Sequence, residues 1–200
     1  MGIKGSGDSP GKRIFQYGGI GMFNARKIQE QIIFEAVRNA SDAETAKEII
    51  YGPDESAKNE SDNDWVQSTM NRLEIKFDQE KTKRIRMGCQ CGYGMEEKLK
   101  FLQELKAEAS DMNEFGNSDK AKAAGLFYKD DILYLQFFFC PCPMLASVEK
   151  LQTKTWCQCT AGYSKVLFEK ALGCEVDVDL LKSIKAGDDI CLMKIVPRGM

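Results

Sequence analysis

Three Cys-x-Cys pairs, Cys89/Cys91, Cys140/Cys142 and Cys157/Cys159, hold six of the eight cysteines of a 200-residue chain that has no histidine. Without imidazole, Ser-His-Asp and Cys-His catalysis are excluded, and a transition-metal site built from protein must use thiolates and carboxylates. Whatever chemistry the chain does is expected to run through sulfur. Two pairs suffice for a tetrahedral four-thiolate site for zinc or an iron–sulfur cluster, leaving the third spare or part of a larger site. Cysteines one residue apart on extended chain point the same way yet sit too far apart for easy bridging, so each pair offers two sulfurs to a third party. The candidate metal ligands are therefore Cys89, Cys91, Cys140, Cys142, Cys157 and Cys159, with zinc expected ahead of an iron–sulfur cluster. Two other readings stand beside this one. Pairs can cycle between dithiol and disulfide or trap an electrophile. Several thiols can also be plain core residues: Cys140 continues an apolar run, and Cys174 and Cys191 fall at apolar positions.

Cys89-Gln90-Cys91-Gly92-Tyr93-Gly94 and Cys157-Gln158-Cys159-Thr160-Ala161-Gly162 share the pattern CQCxxG, and each precedes an amphipathic stretch. A helix N-terminus offers free N–H groups and partial positive charge, which favour thiolate. These four sulfurs are expected to be the easiest to ionise.

The elements that must position them follow from periodicity and punctuation. Asn24 caps a helix over residues 25–37 with Ile28, Ile32, Ile33, Ala36 and Val37 on one face; Ser41 opens a second helix that ends near Tyr51-Gly52-Pro53. Residues 54–64 read as an acidic loop, and helical spacing resumes with Trp65, Met70, Leu73 and Phe77. The basic run over residues 81–86 reads as a solvated helix face. Met95, Leu99, Leu102 and Leu105 form one stripe of a helix that ends before a turn at Gly116. Residues 126–129 and 132–139, joined by Asp130-Asp131, read as a tight hairpin. Residues 148–156 form a strand or loop, residues 162–172 a helix, and residues 175–184 and 190–196 two last strands. Helices first and strands later give an α+β fold, with a helical N-terminal half packed on an antiparallel sheet. The organisation expected is one compact domain: a flexible start over residues 1–12, a mainly helical region over 13–124 and an α+β region over 125–197. The glycines of residues 18–21 lack a phosphate-loop spacing and read as a turn.

Composition narrows the partners. The chain is 43 % apolar and 29 % charged, long enough for one real core. Its 28 basic and 30 acidic residues nearly cancel, and a pI near 5.4 leaves no basic footprint for nucleic acid. Residues 1–12 lack a signal-peptide core, and the longest apolar run, residues 132–140, is broken by Gln136 and too short to cross a bilayer. A soluble cytoplasmic protein is expected, without a membrane partner. Met1-Gly2 followed by Ser6 fits a loose myristoylation pattern that no second membrane signal supports. In a reducing cytosol the cysteines are thiols, metal ligands or core residues rather than a disulfide framework.

The last third of the chain carries a resemblance. The run Cys157-Gln158-Cys159-Thr160-Ala161-Gly162-Tyr163, with Phe168-Glu169, Gly173, Val176-Asp177-Val178, Ser183-Ile184, Gly187-Asp188 and Cys191, resembles the C-terminal signature of vinyl-4-reductase domains. It is similar also to bacterial proteins assigned as amino-thiazoline carboxylate hydrolases. The match spans residues 133–196, and its most specific element is S-x3-G-D-x2-C before a last strand. It implies a vinyl-4-reductase-like α+β ligand-binding fold that takes small aromatic molecules or zinc, and related domains often form homodimers. In zinc-bearing members an upstream cysteine, a carboxylate and two cysteines flanking the last turn hold the metal. Cys157 and Cys191 fall at the first and last of these positions, whereas Val178 and Ser183 replace the other two. Cys159, Cys174, Asp177 and Asp179 are the nearest substitutes.

Together these features point to a small-molecule or metal-binding module with a CxC thiolate cluster at a pocket lined by Phe137, Phe139, Trp156 and Tyr163. The enzymatic alternative is hydrolysis of a thiazoline-like cyclic substrate by zinc-bound water or an ionised cysteine, with Glu169 or Asp188 accepting the proton. An iron–sulfur or redox protein is the third.

Overall fold

The computed structural model describes residues 24–199. The expectations for residues 1–12, for the glycine turn over 18–21 and for the myristoylation pattern lie outside them. Among the described residues, seven α-helices precede the first strand: α1 (Ala25–Ala40), α2 (Ala43–Tyr51), α3 (Asp62–Lys76), α4 (Gln79–Gly88), α5 (Met95–Glu108), α6 (Met112–Asn117) and α7 (Asp119–Ala123). The hairpin β1 (Leu126–Lys129) and β2 (Ile132–Phe137) leads through an irregular segment to α8 (Gln158–Leu172), then β3 (Val176–Lys182) and β4 (Cys191–Pro197). The sheet is antiparallel throughout, in the order β1-β2-β4-β3. The α+β expectation holds: helices fill the first half and the sheet closes the second.

Local chemistry sets the boundaries. The side chain of Asn24 accepts from Lys27 N at the start of α1, Asp42 from Thr45 N at α2, Ser61 from Asp64 N at α3 and Asp78 from Lys81 N at α4. Asp42, rather than Ser41, therefore opens α2. The polar stretch before α3 contains a 3-10 turn over Ser56–Asn59. Gly116 lies inside α6 instead of marking a turn. Asp130 and Asp131 both take left-handed backbone, φ 51° and 59°, as a two-residue type I′ turn demands. The second strand ends at Phe137, two residues early, and leaves Phe138 exposed.

Two apolar cores result. The first gathers Ile33, Val37, Ile49, Trp65, Leu73 and Trp156 from α1–α3 and the segment before α8. The second packs one face of the sheet, through Leu133, Val178, Met193 and Ile195, against α5 and α8, through Leu102 and Phe168. α4 and α8 cross where the cores meet. A Cβ on Gly162 would stand 1.8 Å from the Met87 carbonyl oxygen, so the close approach of the two backbones requires glycine there.

Candidate functional site

The crossing at Gly162 brings the C-terminus of α4 against the N-terminus of α8, and with it the cysteines. Cys89 caps the end of α4, its thiol 3.2 Å from the Ile85 carbonyl oxygen. α8 begins one turn earlier than its sequence suggests, which makes Cys157 its N-cap and puts Cys159 in its first turn. Cys140 and Cys142 lie in the irregular segment after β2. No pair therefore sits on a strand. Cys89 and Cys157 are buried in the first core, and Cys140, Cys142 and Cys159 pack against it. Five of the six paired cysteines thus belong to or border one core, and Cys91 stands apart, exposed. All eight cysteines are free thiols. The Cys157 sulfur lies 3.2 Å from Ser183 Oγ, and Cys191 is close enough to raise its pKa further. Among the described residues, no group of three or more Cys, Asp or Glu side chains is arranged to hold a metal ion.

Burial overturns the expected ease of ionisation at Cys89, Cys157 and Cys159. Desolvation pushes the Cys157 thiol up to about 12 against a hydrogen bond from Ser183, and the Cys140 thiol up to about 11. Cys159 and Cys89 are also raised by burial, with the Arg86 guanidinium pulling both the other way. Cys89 moreover sits at the C-terminal end of α4 and not at a helix N-terminus.

Arg86 corrects a second expectation. It belongs to the basic run read as solvated, yet it is 0 % exposed. Thr82 and Ile85 are buried with it, because these positions share the face of α4 turned to the core. Its Nη2 donates to the Trp156 carbonyl oxygen at 2.9 Å, and the guanidinium lies 4.6 Å from the Trp156 ring centroid.

Beside the thiols lies a cavity of about 890 Å³ between α5, α8, β1, β2 and the segment after β2. One cysteine of each pair lines it: Cys91, Cys142 and Cys159. Of the four aromatics expected around a pocket, Phe137, Phe139 and Tyr163 line it as well. Trp156 does not; it is fully buried in the first core, edge-on to Trp65 at 5.7 Å. Tyr163 donates to the Tyr93 carbonyl oxygen at 3.0 Å, and burial, with the neighbouring Cys91, lifts its hydroxyl to about 12. Lys98 is a wall residue that sequence reasoning passed over. Its ammonium sits 4.7 Å from the Tyr163 ring centroid, with its pKa lowered by burial. The glycines flanking Tyr93 were the available signal, since Gly92 and Gly94 both take positive φ and carry the chain along the wall into α5.

The carboxylates expected to accept a proton lie elsewhere. Glu169 pairs with Lys165, and Asp188 accepts from Ser183 N at 2.7 Å and pairs with Lys154. Neither lines the cavity, whose carboxylates are Glu96 and Glu97. No described helix is long and apolar enough to cross a membrane.

Fold and site together define a mixed α+β protein in which a helical half and an antiparallel sheet carry an apolar cavity bordered by thiols. Residues 22–200 match the family of unknown function DUF6144, and the chain belongs to that family. No curated protein and no solved structure matches it significantly.

Proposed function

We propose that this chain is a small-molecule-binding module whose cavity presents thiols to its ligand. One observation carries the reading: a cavity of about 890 Å³ takes one cysteine from each of three sequence-distant pairs, together with Phe137, Phe139 and Tyr163. The volume lies within the range of roughly 300–1,000 Å³ that suits a small ligand, and apolar walls with a few convergent polar groups are the usual composition of such sites. The ligand class these walls favour is an aromatic or otherwise apolar molecule with affinity for soft sulfur. The resemblance of residues 133–196 to vinyl-4-reductase domains points the same way, since those domains take small aromatic molecules.

The test uses anilinonaphthalene sulfonate as an apolar probe on the reduced chain. Saturable binding at one probe per chain is expected, with fluorescence rising as the dye leaves water. Thr160→Trp places an indole into the cavity from the start of α8 and should abolish that signal while leaving the melting temperature near the parent's. No saturable binding, or binding unchanged in Thr160→Trp, would sink the reading.

A further inference from the structure

Gln29 stands on the core face of α1, in line with Ile33 and Val37 one and two turns later, and it is only 6 % exposed. Two buried side-chain oxygens among the described residues find no hydrogen-bond partner, Gln29 Oε1 and Gln158 Oε1. Of these two residues, only Gln29 lines the cavity. An amide oxygen taken out of water and left unpaired is costly, and an apolar side chain of similar volume would fill the same space without that cost.

The neighbourhood of Gln29 does not meet the need. α1 packs on α4 and on the 3-10 turn over Pro143–Leu145. Gln29 therefore shares its wall of the cavity with Ala25, Ile28, Pro143 and Met144, none of which carries a side-chain hydrogen-bond donor. A bound water needs about two to four polar partners, and the side chains of this wall offer it one oxygen. Glu96 and Glu97 also line the cavity, but both are exposed and already meet water. The thiols on the lining are weak acceptors while they keep their protons. Gln29 Oε1 is thus the acceptor with most to gain from a donor brought by a ligand, and a few placed polar groups of this kind are what orient a molecule in an apolar cavity.

We propose that the ligand of this cavity is an aromatic molecule bearing a hydroxyl or a ring N–H, and that Gln29 Oε1 accepts this hydrogen and selects for it. The terminal torsion of glutamine is broad and two-fold, so the amide can turn its oxygen to the ligand without disturbing α1. A hydrocarbon of the same shape leaves the oxygen unpaired, which is how a buried acceptor rejects a close analogue that lacks the donor. This choice of ligand rests on the proposed function and adds the chemical group that the cavity selects.

The test titrates the full reduced chain with 2-naphthol and with 2-methylnaphthalene, which exchange a hydroxyl for a methyl on one ring frame. Apolar burial alone favours the methyl compound, so the direction of preference is informative. Wild type should bind 2-naphthol more tightly. Gln29→Leu should shift the ratio of the two affinities by about tenfold toward 2-methylnaphthalene. Damage to packing would weaken both probes alike and leave the ratio where it was. A wild-type preference for 2-methylnaphthalene, or an unchanged ratio in Gln29→Leu, would overturn the inference, and the wild-type comparison decides the matter alone if the variant does not fold. Anilinonaphthalene sulfonate on the same samples separates the two proposals. Dye bound without a preference for 2-naphthol removes the role of Gln29 alone, whereas a chain that binds neither the dye nor either naphthalene removes both.

Discussion

The two cores differ in what they bury. The second, between the sheet and α5 and α8, buries chiefly aliphatic, aromatic and methionine side chains such as Leu133, Phe168, Met193 and Ile195, with Ser164 bonded to the Met193 sulfur and one cysteine, Cys174, at its edge. The first includes two buried cysteines, has three more at its edge, and encloses the Arg86 guanidinium, which bonds the Trp156 carbonyl oxygen and lies against the Trp156 ring and the Cys89 thiol. An almost wholly apolar core holds a fold at little electrostatic cost. A buried guanidinium with no carboxylate beside it among the described residues is costly. The comparison therefore leaves the sheet side almost purely apolar and puts most of the cysteines and the buried charge on the helical side, with the α4–α8 contact as their joint.

The strongest way to break that division is at the joint. In Gly162→Ala the new methyl would stand 1.8 Å from the Met87 carbonyl oxygen and 2.6 Å from its carbonyl carbon, both backbone atoms with no rotamer to yield. The helices must separate, which costs about 4 kcal/mol or more, the size reserved for failures of packing with no local remedy. Urea unfolding should show a large loss of midpoint, with Cys157 and Cys159 opened to thiol reagents well before the sheet unfolds. A variant with the parental midpoint would mean that α4 and α8 do not meet at this glycine.

A smaller effect sharpens the contrast through pH. The Cys157 and Cys140 thiols are lifted by burial from an ordinary 9.0 to about 12 and about 11. The folded state thus favours the protonated thiol. Its stabilisation is fully present below pH 9, where the unfolded thiol also keeps its proton, and is lost as the pH rises from 9 toward 12 and only the unfolded chain ionises. Cys157→Ala should flatten the decline of stability over that window, as measured by melting temperature at successive pH values. Substituting Leu133 on the sheet side should lower stability without changing that slope. Identical slopes in wild type and Cys157→Ala would show that the first core does not desolvate its sulfur.

Much of the sheet side was legible in the sequence, and less of the helical side. The Asn24 cap, the apolar face of α1, the Asp130-Asp131 hairpin and the last two strands all follow from local rules, and the structure has them. Arg86 was misread because four charges within residues 81–86 hide the fact that Thr82, Ile85 and Arg86 share one helical face. Trp156 was placed in a pocket because an aromatic beside two cysteines has no spacing that tells core from cavity; only its contact with Trp65, far away in sequence, decides it. The gathering of the cysteines at one core is likewise a long-range fact, set by the contact of two helices about seventy residues apart. One local signal was available: a glycine inside an amphipathic helix marks a close approach of backbone.

The mildest change tests the sheet side alone. Asp131 holds φ 59° in the hairpin turn, where an L-residue is strained by roughly 1–2 kcal/mol, less for aspartate because its short side chain bonds locally. Glycine removes that strain but loosens the unfolded chain, which returns about 0.4–1 kcal/mol. The difference leaves Asp131→Gly more stable by about 0.5 kcal/mol, consistent with the preference of type I′ turns for Asp-Gly. Since β1 and β2 meet the second core through Leu126, Leu133 and Leu135, the gain should appear in the urea midpoint while the reagent accessibility of Cys89, Cys157 and Cys159 stays at the parental rate. A change in thiol accessibility from so remote a turn would mean that the two cores respond as one, and the contrast between them would fail.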